Sequence, residues 1–158
     1  MIVLVMGVAG VGKTTIGEAL ARALGARFID ADDYHPPENV AKMKAGIPLQ
    51  DADRWPWLDR LNQELRKNSD AILACSALKE TYRRRLAQGV GAFKTVYLHG
   101  TAELIRGRME TRRHRYMPPA LLDSQLATLE PPGDAIAIDV AAPLEESVAA
   151  IVKRLQPG

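Results

Sequence analysis

The sequence predicts an α/β fold, a five-stranded parallel sheet with helices on both faces. Three observations carry this. Short apolar runs alternate along the chain with segments whose apolar residues recur at helical spacing. The opening run, Ile2–Met6, is apolar without interruption, as in a strand buried on both faces. It leads directly into a glycine-rich loop and an amphipathic helix. The chain has 158 residues, 47% hydrophobic and 25% charged, which excludes a disordered or fibrous protein and fits one domain over residues 1–158.

After the first strand, Ile16, Leu20 and Leu24 mark a helix ended by Gly25. Arg27–Asp30 reads as the second strand, and Glu38–Ala45 as a short helix closed by Gly46. Asp53 is the expected N-cap of a helix through Asn68, with Pro56 in its first turn and Leu58, Leu61 and Leu65 on one face. Ala71–Cys75 is the third strand, followed by a helix carrying Leu78, Tyr82 and Leu86. Thr95–Leu98 is the fourth strand. Thr101 caps a helix running to about Arg113, and Met117-Pro118-Pro119 interrupts. Leu121, Leu122, Leu126 and Leu129 form another helical face, and Ala135–Val140 is the fifth strand. The closing helix, with Leu144, Val148, Ile151 and Leu155, has Glu145 and Glu146 in its first turn and Lys153 and Arg154 in its last, as the helix dipole favours.

Composition narrows the setting. No apolar run reaches the roughly 18 residues that span a bilayer, so no membrane association is expected. Met1–Met6 is short and lacks a basic flank, a poor fit to a signal peptide. Cys75 is the single cysteine, which excludes an internal disulfide. A cytoplasmic location is expected. With 21 basic and 19 acidic side chains the net charge is +2, too mild to imply nucleic acid. The positive charge is concentrated, however: Arg106, Arg108, Arg112, Arg113 and Arg115 lie close together with Glu110 opposing them. Such a cluster suits an anion. A solvated helix surface is the plain alternative.

The loop after the first strand reads Gly7-Val8-Ala9-Gly10-Val11-Gly12-Lys13-Thr14, then Thr15, a full match to G-x-x-x-x-G-K-[ST]. Its glycines let successive backbone N–H groups converge on an anion, and the following helix adds its positive end. This implies binding of a nucleoside triphosphate, with Lys13 on the β- and γ-phosphates and the Thr14 hydroxyl on Mg²⁺. Neither D-x-x-G nor N-K-x-D, the marks of a GTPase switch, occurs in the chain. A small kinase that transfers the γ-phosphoryl group to a bound acceptor remains. The second strand ends in Asp30-Ala31-Asp32-Asp33, and carboxylates two apart off a strand end project to one side. Asp30 is assigned to the metal through water, and Asp32 to the proton of an acceptor hydroxyl. A polar loop with capping carboxylates is the alternative.

These blocks, together with His35-Pro36-Pro37-Glu38-Asn39, Lys42-Met43, Gly46-Ile47-Pro48-Leu49, Asp51-Ala52-Asp53-Arg54-Trp55-Pro56-Trp57-Leu58, Cys75-Ser76-Ala77-Leu78-Lys79, Tyr82-Arg83, Ser124-Gln125-Leu126 and Leu129-Glu130-Pro131, resemble the gluconokinase family in order and over nearly the whole chain. The resemblance implies a three-layer P-loop kinase fold like that of nucleoside monophosphate and shikimate kinases. It implies ATP-dependent phosphorylation of D-gluconate at its 6-hydroxyl, and a homodimer. It also implies that Arg108 and Arg112 belong to a lid, at about 108–124, that closes on ATP. Ala31 stands where the family usually has glycine, and Arg115 where an ungapped match has histidine.

A sugar-acid acceptor needs a cation for its carboxylate. Arg54, Lys79 and Arg83 are the candidates, with Lys42 behind them, in an acceptor segment whose main part is about 32–68. Arg54 has a local ion pair with Asp51 or Asp53 as its alternative. Lys79 and Arg83, four apart, are read as sharing a helical face, either holding an anion or simply solvated. Ser76 is an N-cap, a hydroxyl ligand or both. His35 and Gln125, inside the family-like blocks, complete the expected acceptor set. Trp55 and Trp57 are read as packing, and Cys75 as a buried residue rather than a nucleophile.

Overall fold

The computed structural model describes residues 1–111 and 122–156. Five strands, β1 (Ile2–Met6), β2 (Arg27–Asp30), β3 (Ala71–Ala74), β4 (Phe93–His99) and β5 (Ile136–Asp139), make one parallel sheet in the order β2-β3-β1-β4-β5. Parallel neighbours need crossover connections. These are supplied by α1 (Lys13–Leu24), α2 (Pro37–Lys44), α3 (Asp51–Arg66), α4 (Glu80–Ala87), α5 (Ala102–Thr111) and α6 (Leu122–Thr128), and α7 (Leu144–Leu155) closes the described chain.

The pleat of β1 sorts the core. Val3 and Val5 face one side, where Ile16 and Leu20 of α1, Ile105 of α5 and Ile151 and Leu155 of α7 are buried. Ile2, Leu4 and Met6 face the other, against Trp57, Leu58, Leu61 and Leu65 of α3 and Tyr82 and Leu86 of α4. All five residues of β1 are buried, which is why the run had to be apolar throughout. Gly25 ends α1 in the left-handed conformation, its N–H donating to the Ala21 carbonyl.

Three local expectations are corrected. Asp53 is not the N-cap of α3. The helix starts at Asp51, and Asp53 reaches back from inside the first turn, its Oδ2 accepting from the Gln50 N–H at 2.9 Å. Pro56 therefore falls in the second turn. The chain after β2 does not stay extended but closes a 3₁₀ turn over Ala31–Tyr34. Ser76 does not cap α4 either. Lys79 is the N-cap residue, and the Glu80 N–H is satisfied at 2.9 Å by Glu130 Oε1, fifty residues away.

Candidate active site

The phosphate loop leaves the C-terminal end of the central strand β1, where the chain first crosses to β2 and later to β4. Such reversals open a crevice at the carboxyl edge of a parallel sheet. Gly7 starts the loop with φ +152°, and a Cβ there would lie 2.6 Å from the Leu98 carbonyl oxygen at the end of β4. No side chain fits. Gly12, the N-cap residue of α1, has φ +96° and no side-chain cap, and a Cβ on it would meet nothing within 4 Å. The start of α1 is thus left without a side-chain cap, the arrangement that receives an anion. Thr14 and Thr15 are exposed in that first turn.

Lys13 folds over the loop, its Nζ donating to the carbonyls of Gly7 and Val8, both at 3.0 Å. Burial holds its pKa below the ordinary lysine value, and the charges of Asp32 and Asp30 act against that depression. Both acids therefore lie near enough to Lys13 for their charges to act on it. The neighbouring Cys75 thiol is pushed up to about 12 by burial, so it is protonated at neutral pH and no nucleophile. Gln125 of α6 is buried, and its Oε1 accepts from the Ala9 N–H at 2.7 Å. It buttresses the loop from within the protein.

The acid pair differs from a simple strand alternation. Asp30 Oδ1 accepts from the Asp32 N–H at 3.0 Å and caps the 3₁₀ turn that carries Asp32. Ala77 is the sole non-glycine with positive φ among the described residues, so Ala31 fits without the conformational freedom of glycine. His35 follows the turn. Its imidazole stacks on Trp57 at 4.0 Å and 16°, and its Nε2 lies 3.8 Å from Asp32 Oδ1. Trp57 is fixed in turn by its Nε1 donating to the Ala31 carbonyl at 2.8 Å.

The expected cations gather at the N-terminus of α3, together with acids. Lys79 Nζ donates to Asp51 Oδ1 at 3.1 Å, and Tyr82 donates its hydroxyl to the same oxygen. Arg54 donates to the Leu49 carbonyl and, at 3.2 Å, to the Tyr82 hydroxyl. Lys42 holds both oxygens of Asp53, at 2.9 and 3.0 Å. The Tyr82 and Lys79 bonds keep the Asp51 carboxyl below its usual range. The Gln50 N–H and Lys42 do so for Asp53, and Arg85 for Asp59. Depressed carboxyl values stabilise the fold above the unfolded pKa of about 3.9, and the benefit is lost as pH falls through the folded values. Thermal melts are thus expected to be level with respect to these groups from pH 5 to 8, with the loss setting in below about pH 4. A drop near pH 6 would assign acid lability to other groups.

Lys79 and Arg83 do not share a face, because Lys79 precedes α4. Arg83 is buried, donating to the Ala77 carbonyl at 2.7 Å and the Glu130 carbonyl at 2.9 Å. It clamps the left-handed Ala77, at φ 45°, and the segment after α6 onto one another. Arg83→Met is expected to cost about 3 kcal/mol, since it leaves two carbonyls without a charged donor. A urea melt within 0.5 kcal/mol (roughly the neutral range for surface changes) would show the clamp to be dispensable. Ser76 is half-buried at the turn after β3, its carbonyl accepting from the Gly7 N–H. Arg108 donates to the Val140 carbonyl at 2.6 Å, beyond β5. Arg112 and the His114-Arg115-Tyr116 segment lie outside the described residues.

A glycine-lined anion loop at the topological switch of a parallel sheet, with two acids near its lysine, is the architecture of a P-loop nucleotide-binding kinase, and that is the class this fold defines. The family model described as an AAA domain matches residues 2–132. A rat protein named a probable gluconokinase is 43% identical over 180 residues, covering 98% of this chain and 97% of its own. The crystal structure of a gluconokinase from Sinorhizobium meliloti 1021 matches with a TM-score of 0.88 at 44% identity, covering 97% of this chain and 91% of that one. A shikimate kinase from Bacteroides thetaiotaomicron, at 18% identity and a TM-score of 0.70 over 98% of each chain, shares the fold. The chain belongs to the gluconokinase family.

Proposed function

We propose that this kinase transfers the γ-phosphoryl group of ATP to the 6-hydroxyl of D-gluconate, giving 6-phospho-D-gluconate and ADP. The observation that carries the reading is the joining of two sites. Asp30 and Asp32 lie near enough to Lys13 of the phosphate loop for their charges to act on it, and Asn39 ties the same acid turn to the cationic cluster of α3, through His35 on one side and the Asp53 carbonyl on the other.

The loop N–H groups and the α1 dipole hold the phosphates, and Lys13 exchanges the Gly7 and Val8 carbonyls for phosphate oxygen. Asp32 takes the proton of the 6-hydroxyl. The new O–P bond forms as the bond from γ-phosphorus to the bridging oxygen breaks, so positioning and charge neutralisation do most of the work. Thr14 and, through water, Asp30 supply the hard oxygen donors that suit Mg²⁺. That ion adds neutralising charge to the phosphates. Arg54, Lys79 and Lys42 outnumber Asp51 and Asp53 by one positive charge, which the gluconate carboxylate complements. Ser76 supplies a polar contact to a hydroxyl, and His35, its side chain 3% exposed, serves the acceptor site from behind Asp32. Arg83 serves the acceptor site through the backbone it holds, Gln125 steadies the phosphate loop through the Ala9 N–H rather than touching the acceptor, and Arg108 and Arg112 act from the lid at about 108–124.

No described helix is long and apolar enough to cross a membrane. A cytoplasmic homodimer without nucleic acid is the proposed working form, checked by a light-scattering mass of twice the 17.3 kDa chain. The deciding experiment is an acceptor panel read by coupled ADP release with ATP and Mg²⁺. Turnover with gluconate is expected. Turnover with shikimate or another sugar acid, and none with gluconate, would overturn the assignment.

A further inference from the structure

We propose that Asn39 is a positioning residue that sets the tautomer of His35 and, through it, the carboxylate of Asp32. The proposal rests on the reading of Asp32 as the proton acceptor. Asn39 lies on α2 and is buried, 2% exposed. One side-chain atom sits 2.9 Å from the Asp53 carbonyl oxygen. A carbonyl only accepts, so that atom is the amide nitrogen, which fixes which way the amide points. The same nitrogen lies 3.3 Å from His35 Nδ1. Its second hydrogen is directed there, so Nδ1 presents a lone pair. A neutral imidazole then carries its proton on Nε2.

Nε2 is the atom that faces Asp32 Oδ1, at 3.8 Å. The ring has little freedom to turn, because its side chain is 3% exposed and lies flat on Trp57. Asn39 thus decides that Asp32 meets an N–H donor rather than a second lone pair. The opposite tautomer would set two acceptors against each other and push the carboxylate away. An N–H turned to Oδ1 at 3.8 Å attracts the carboxylate and keeps it in place to take the hydroxyl proton as the acceptor arrives. Asn39 thus acts on Asp32 through His35, while its bond to the Asp53 carbonyl holds the amide in place.

The test uses the full chain labelled with ¹⁵N-histidine. Only three histidines are present, and His35→Gln assigns the relevant signals by their loss. Long-range proton–nitrogen spectra of the native protein are expected to show His35 protonated on Nε2 and bare on Nδ1. A proton on Nδ1 overturns the proposal without any variant, so it stays falsifiable if a substitution fails to fold. Asn39→Asp keeps the side-chain shape but replaces the donor by an acceptor, and is expected to move the proton to Nδ1. The gluconate-dependent kcat should fall about 10- to 100-fold, the usual range for a partner that orients a functional histidine, with KM for ATP unchanged. A moved proton with an unchanged kcat overturns the proposal. Asp32→Asn, measured alongside, isolates the parent reading. Full turnover there removes Asp32 from the reaction. Lost turnover there, with Asn39→Asp still fully active, overturns the relay alone.

Discussion

Lys13→Ala is expected to lower phosphoryl transfer by about 10³-fold and leave the ligand-free protein as stable as before, or more so. Two properties of the side chain oppose each other. On the proposed mechanism its charge neutralises the phosphates as they accumulate charge in the transition state, so its removal falls on the chemistry. Yet in the absence of nucleotide that charge sits in a setting which lowers its pKa by burial, held by two neutral carbonyls and two acids. Alanine deletes this cost along with the function. The expected signature is an apo melting temperature at or above the native one, together with a loss of the rise that ATP produces. That rise corresponds to about 2.7 kcal/mol when ligand is at a hundred times its Kd. Coupled ADP release and thermal melts with and without a non-hydrolysable ATP analogue measure both halves. An apo protein that melts well below native would mean that Lys13 holds the loop together, and retained turnover would move phosphate neutralisation elsewhere.

The parts of this enzyme that were legible in the sequence are those set by neighbours in the chain. Ile2–Met6 and Arg27–Asp30 form strands with the bounds their apolar patterns marked, and Leu144–Leu155 is the closing helix. The phosphate loop could be read whole, because its glycines serve local backbone geometry. Reading failed where a distant residue decides. Ser76 looked like a cap because small polar residues before a helix usually are. The capping carboxylate instead arrives from Glu130, which no spacing rule reveals. Arg83 and Lys79, four apart, suggested a cationic face until the Ala77 and Glu130 carbonyls claimed Arg83. Asp53 was misplaced by three residues of helix, since a carboxylate inside the first turn reaching back to Gln50 resembles a cap in sequence. Asn39 and Trp57 carried no signal of their own. One is a plain helix residue and the other an apolar anchor, and their meaning appears only when His35 is seen between them.

Asp32→Asn is expected to reduce kcat by about 10²- to 10³-fold, within the range for a positioned proton acceptor, while KM for ATP stays level or falls. The direction for ATP follows from charge. Asp32 sits close enough to the phosphate loop to act on Lys13, so its carboxylate also repels the triphosphate. Removing the charge eases binding as it removes the base. The fold should tolerate the change, since the Asp32 side chain is 48% exposed and asparagine keeps its shape. The 3₁₀ turn is capped by Asp30, which the substitution leaves in place. This pattern is the reverse of Lys13→Ala, where nucleotide binding and chemistry fail together, so the pair of variants separates the phosphate grip from activation of the hydroxyl. Steady-state kinetics in both substrates read the difference. An unchanged kcat would assign the proton to another group. A rise confined to KM for gluconate, with kcat intact, would make Asp32 a ligand of the sugar acid and leave the transfer itself to orientation alone.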